Sequence, residues 1–177
     1  MDFTCSDTVT HPAEVVHLLL RDDMTQILPY LPDVDGIEVL TREDEDRGVR
    51  LVNLWRASEG AVPKVAKPFV KPEMLSWKDH ALWNQNEWTC DWRVETTMFT
   101  ENVNCYGHNT YVVDGEHTIL QIRGELDVSL KGVPGVPKFL ASKVAPQVEK
   151  LIVTLLKPNL LSVAKGLQDF LDAESEA

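Results

Sequence analysis

The chain has only three cysteines in 177 residues, Cys5, Cys90 and Cys105, with no C-x-x-C pair among them. That excludes a disulfide scaffold and fits reduced, mostly buried thiols in a cytoplasmic protein. Basic residues are scarce, with 17 Lys and Arg against 28 Asp and Glu for a net charge of −11. A general nucleic-acid role is excluded on that ground, because phosphate binding needs a basic surface. No apolar run approaches the ~18 residues of a membrane-spanning helix. The start, Met1-Asp2-Phe3-Thr4-Cys5, has neither the basic nor the apolar segment of a secretory signal. The histidines (His11, His17, His80, His108, His117) show no metal-ligand spacing, so no metal site is expected. There is no G-x-S-x-G, no glycine pattern for phosphates or dinucleotides, and no recognisable Cys/His dyad. The stretch Gly132 to Pro137 cannot cradle phosphate, since its prolines remove amide donors. No cofactor is expected and no residue is assigned a catalytic role.

What is present is ordinary globular composition, 44% hydrophobic and 25% charged, at a length that suits one domain over residues 1–177. Residues 1–10 alternate as a strand. Two short helices follow within 12–31, the first opened by His11-Pro12-Ala13-Glu14. Residues 36–130 read as an antiparallel meander, in which Glu43 to Gly48 is a charged turn. The clearest strand is 87–98, where Trp88, Cys90, Trp92, Val94 and Thr96 share one face. Asp114-Gly115 is a hairpin turn before a strand with Leu120 and Ile122 inside. Residues 138–172 are helical, with Val148, Leu151, Ile152, Leu155 and Leu156 at spacings of three and four. Pro158 falls inside that pattern and predicts a kink or break.

A long helix that follows antiparallel strands has one obvious place for its apolar stripe, across the open face of their sheet. If the sheet is curved, the space between becomes a cavity for an apolar molecule. The predicted lining is Trp55, Trp77, Asp79, Trp88, Trp92, Val94, Leu120, Ile122, Leu151 and Leu155. The tryptophans serve as an aromatic ligand wall or as plain core packing. Asp7, Asn53 and Asp79 fall on apolar phases. Burying them costs ~1–3 kcal/mol unless they are hydrogen-bonded. They orient a ligand head group, act as acid or base, or are satisfied structurally. In Lys78-Asp79-His80 the carboxyl and imidazole types are adjacent, but neighbours on a strand point to opposite faces.

The segment 60–73 differs from the rest, with Lys64, Lys67, Lys71 and three prolines and no acid before Glu73. Lys64, Lys67, Phe69 and Lys71 are the candidates for a lid over the cavity mouth or a transient contact with an anionic membrane surface.

This order resembles the helix-grip (START-like, SRPBCC, Bet v 1-like) superfamily. The residues that carry the likeness are the opening strand before His11-Pro12-Ala13-Glu14-Val15-Val16, then Leu31-Pro32-Asp33-Val34, and the helix at Pro146-Gln147-Val148-Glu149-Lys150-Leu151. The Val62 to Phe69 insert looks like that of PRELI-type lipid-transfer proteins and a related bacterial group of unknown function. The resemblance implies an α+β fold. In it a curved antiparallel sheet of about six or seven strands wraps a long C-terminal helix, with two short helices after strand 1. It further implies non-catalytic binding or transport of a hydrophobic, lipid-like molecule. The alternative is an enzyme of the polyketide cyclase/aromatase type using the same cavity.

Overall fold

The computed structural model describes residues 1–62, 71–98, 100–133 and 137–176. Seven strands form one antiparallel sheet: β1 (Asp2–Val9), β2 (Val34–Glu45), β3 (Gly48–Ala57), β4 (Ser76–Asn84), β5 (Thr89–Thr96), β6 (Val103–Asp114) and β7 (His117–Val128). Their order is β1-β7-β6-β5-β4-β3-β2, so the first strand closes onto the last and the others run as a meander. Helix α1 (Ala13–Asp22) and a 3-10 segment (Met24–Tyr30) connect β1 to β2, and helix α2 (Lys138–Glu176) ends the chain. This is the helix-grip architecture.

Alternation sets the inner face. On β3, Val49, Leu51, Asn53 and Trp55 are buried while Arg50 and Arg56 are exposed. On β7, Thr118, Leu120, Ile122, Leu126 and Val128 are buried. Helix α1 turns Ala13, Val16, His17 and Leu20 inward, the i, i+3, i+4, i+7 stripe of an amphipathic helix.

The core forms two clusters. One joins α1, the 3-10 segment, the tryptophan-rich strands and the end of α2, through Val16, Leu20, Ile27, Trp83, Ala164 and Leu167. The other gathers Phe3, Cys105, Leu126, Val128 and Val153. Trp92 and Leu160 pack against both. Helix α2 lies on β1, β7 and the 3-10 segment, and makes no comparable contact with β3, β4 or β5 among the described residues. Its end is tied down by Thr10 N–H donating to Gln168 Oε1 at 2.7 Å and by His11 against Asp172 at 2.9 Å. Tyr30 and Phe170 meet edge to face at 6.0 Å.

Three sequence expectations change. The charged run is not a turn: β2 continues to Glu45 and only Asp46 and Arg47 lie between the strands. Charges along the edge hold it there, with Arg42 on Asp44 at 3.0 Å and Arg50 on Glu45 at 2.8 Å. The strand predicted at 87–98 is shorter, because Trp88 turns left-handed at φ 52° before β5 begins. Of the kink or break expected at Pro158, the break does not occur, since helix α2 continues to Glu176. A proline removes one ladder hydrogen bond, and apolar packing on both sides keeps the helix whole.

Candidate functional site

The register across β3, β4 and β5 builds the site in rows. Asn53 faces Asp79, which faces Val94; two residues on, Trp55 faces Trp77, which faces Thr96. Residues two apart on a strand share a face, so these six side chains form one patch on the inner face. The Trp55 and Trp77 rings stack at 6.0 Å and 10°. On the other side of Asp79, Ala81 faces Trp92, which faces Gly107. A Cβ at Gly107 would lie 2.3 Å from both the Trp92 ring and the Arg123 carbonyl oxygen, so glycine is what lets the indole lie flat there. The Trp92 Nε1–H donates to Asn109 Oδ1 at 2.8 Å.

Asp79 is the chemical centre of the patch. Its carboxyl lies deep in the protein, though the residue as a whole is only half-buried. Trp77, Trp92, Val94 and Thr96 on the same face are likewise only half-buried. Burial pushes the Asp79 carboxyl up to about 7, against which a hydrogen bond from the Asn53 amide acts weakly. Asn53 Oδ1, Trp55 Nε1 and Thr96 Oγ1 are buried without a hydrogen-bond partner. Unpaired buried polar atoms are uncommon and each costs ~1–3 kcal/mol. Three of them cluster within two rows of one carboxyl.

The basic groups of these strands lie on the opposite face. Lys78 and His80 both bond Glu95, at 3.1 and 2.8 Å, and Arg56 bonds Glu38 at 3.0 Å. His80 is therefore turned away from Asp79, as strand alternation requires. The three thiols are pushed up by burial, Cys105 to about 11, and are not nucleophiles. No group of metal-ligating side chains occurs among the described residues.

His17 heads a second, fully packed corner. Its Nε2 faces the Thr89 carbonyl at 3.1 Å, and its ring meets Trp83, Trp88 and Tyr111 edge-on at 5.1, 5.2 and 5.1 Å. Burial lowers its pKa, so it stays neutral. A shallow cleft of about 170 Å³ beside the β2–β3 turn, lined by Arg21, Asp44 and Gln85 among others, is polar and far from this face.

The sequence-predicted lining divides. Trp55, Trp77, Asp79, Trp92 and Val94 come together, and Leu120 and Ile122 lie farther along the same face on β7. Trp88 sits in the turn against His17 and not on the strand. Leu151 is 59% exposed. The first half of α2 is apolar on more than one side, and Val153, with Ile152 and Leu156, faces the sheet instead. Nothing is described for the Leu155 side chain. Lys64, Lys67 and Phe69 lie outside the described residues, and Lys71 is exposed. Asp7 follows the inner phase but is exposed on the edge strand, its Oδ1 accepting from Thr8 N–H at 2.8 Å. Sequence reading missed Thr96 as a site residue, and Asn109 and Tyr111 as inner-face residues. Gly107 interrupts the apolar phase of β6, and the signal lay in the polar residues on that phase.

No protein-family profile matches the chain, and no curated protein matches it in sequence. Among solved structures it is similar to TTHA0849 from Thermus thermophilus, at 20% identity over 99% of each chain and a TM-score of 0.70. It is also similar to the Zhui aromatase/cyclase from Streptomyces sp. R1128, at 16% identity over 98% of this chain and 93% of that one, TM-score 0.68. A START superfamily protein from Mycobacterium smegmatis matches at 17% identity over 97% of each chain, TM-score 0.56. At such identities the likeness establishes the fold, a START-like helix grip, and that alone.

Proposed function

We propose that the protein binds a hydrophobic small molecule between the inner face of β3–β5 and helix α2, with Asp79 and Asn53 orienting its polar end. The observation that carries this reading is the half-buried patch of Trp77, Trp92, Val94 and Thr96 around a deep carboxyl, whose Trp92 and Val94 edge borders the α2 cluster of Val153. A filled core would have buried those side chains. An apolar ligand that buries ~200 Å² there gains roughly 5 kcal/mol before the costs of association. The segment with Lys64, Lys67, Phe69 and Lys71 is proposed as a lid or a contact with an anionic membrane. The test is mass spectrometry of small molecules extracted from the natively purified protein, alongside titration of tryptophan fluorescence with an apolar probe. A retained apolar compound and saturable quenching support the reading. Neither being seen refutes it.

A second reading is favoured by one observation. A carboxyl with a pKa of about 7 on the inner face is suited to give or take a proton near neutral pH. In a cyclase/aromatase-type reaction Asp79 would be the general acid or base. Loss of turnover in Asp79→Asn with ligand affinity retained supports catalysis. Absence of turnover on polyketide-type substrates by the intact protein supports binding alone.

A further inference from the structure

The unpaired groups around Asp79 specify more than an apolar pocket. Asp79 receives one hydrogen bond, from Asn53, and no cation acts on it. The titratable groups that couple to it are the Cys90 thiol on β5 and the Tyr111 phenol on β6, and burial keeps both neutral. Lys78, His80, Arg50 and Arg56 are occupied on the other face by Glu95, Glu45 and Glu38. Two more oxygens lack partners, Asn53 Oδ1 in the row of the carboxyl and Thr96 Oγ1 in the next, and so does one donor of that next row, Trp55 Nε1. The stacked Trp55–Trp77 pair lies one row away, ~7 Å along the strands.

We propose that this corner is a subsite for a protonated amine carried on an apolar skeleton, with Asp79 as counter-ion and Asn53 Oδ1 and Thr96 Oγ1 as further acceptors. The assignment rests on the ligand-binding reading above. An ammonium group has three donors and no acceptor, which matches a corner dominated by oxygens. It supplies the positive charge that the protein withholds from Asp79, and it sits beside aromatic rings that attract cations. A ligand carboxylate would bring a second negative charge into a place that already resists the first. A neutral alcohol can accept from Trp55 Nε1 but leaves the carboxyl without a counter-charge. The net charge of −11 helps draw a cation toward the protein.

The test compares decylamine, decanol and decanoate by calorimetry, all below their micelle concentrations, in about 0.3 M salt so that surface charge is screened. The expected order is amine over alcohol over carboxylate, the first step about tenfold, the value of one good charge-assisted contact. In Asp79→Asn the amine should lose that advantage while decanol affinity stays within about threefold. In Thr96→Val, a near-isosteric change, amine affinity should fall about threefold and decanol affinity should hold. Circular dichroism reports whether each variant is folded. Equal affinity for amine and alcohol, or an amine preference that survives Asp79→Asn, overturns the subsite and leaves the ligand-binding reading standing. If none of the three probes binds, both fall.

Discussion

Replacing Asp79 with asparagine should stabilise the protein above neutral pH and leave it nearly unchanged in acid. The carboxyl titrates at 3.8 when unfolded and at about 7 in the folded chain, because burial disfavours the charged form. Between those values the folded state holds a proton that the unfolded state has released. Stability that is fully present below about pH 4 is therefore lost as the pH rises through about 7. At 1.36 kcal/mol for each tenfold change in proton affinity, the loss reaches about 4 kcal/mol. Asparagine has the same shape and no charge. It buries a neutral amide where the acid form buries a neutral carboxyl, so the two proteins differ little in acid and the net gain at pH 8 should be about 4 kcal/mol. Urea denaturation of both proteins from pH 4 to pH 8 measures it. The difference should open across that range, with the melting temperature moving about 2–4 °C per kcal/mol for a chain of this size. A difference that stays flat with pH would refute the placement of this carboxyl in a poorly solvated site.

Other expectations follow from the same packing. His17 is neutral and fully buried. Because burial holds its folded pKa below 6.5, stability present above pH 6.5 is lost as the pH falls and the unfolded chain takes the proton. His17→Phe should abolish that acid limb in a denaturation series, and His17→Ala should cost about 3 kcal/mol through the void left among three rings. Gly107→Ala should cost about 1–3 kcal/mol and shift Trp92 emission, because the new methyl meets the indole and a backbone carbonyl. Exchanging Lys64, Lys67 and Lys71 for glutamine should weaken binding to anionic vesicles by up to about 3 kcal/mol without changing stability. Unaltered vesicle binding in a flotation assay removes the membrane contact.

The fold was legible because the strands that become β5 and β7 alternate and α2 carries a long apolar stripe. Much of the site was legible too, since Asp79 and Asn53 stand out as polar residues on apolar phases. Other parts were hidden for identifiable reasons. Gly107 and Asn109 blur the phase of β6. Trp88 reads as a strand residue because its left-handed backbone leaves no mark in the alternation. The leucines of α2 spread around the helix, and only the sheet it rests on selects Val153 over Leu151. The pairing of Asn53 with Asp79, and the stranding of Thr96 and Trp55 polar atoms beside them, follow from cross-strand register. Register is a long-range property that no window of sequence contains.

The division of the core has a further bearing on how the protein moves. Pro158 stands where α2 passes from the smaller apolar cluster to the larger, with Val153 and Leu156 before it and Val163, Ala164 and Leu167 after it. The stretch downstream of the proline is held by the 3-10 segment, Tyr30 lying against Phe170 and Leu31 against Gly166, a hold that the stretch upstream does not share among the described residues. Amide deuteration should then run in two tempos along one unbroken helix, and the faster half would be the door by which cargo comes and goes.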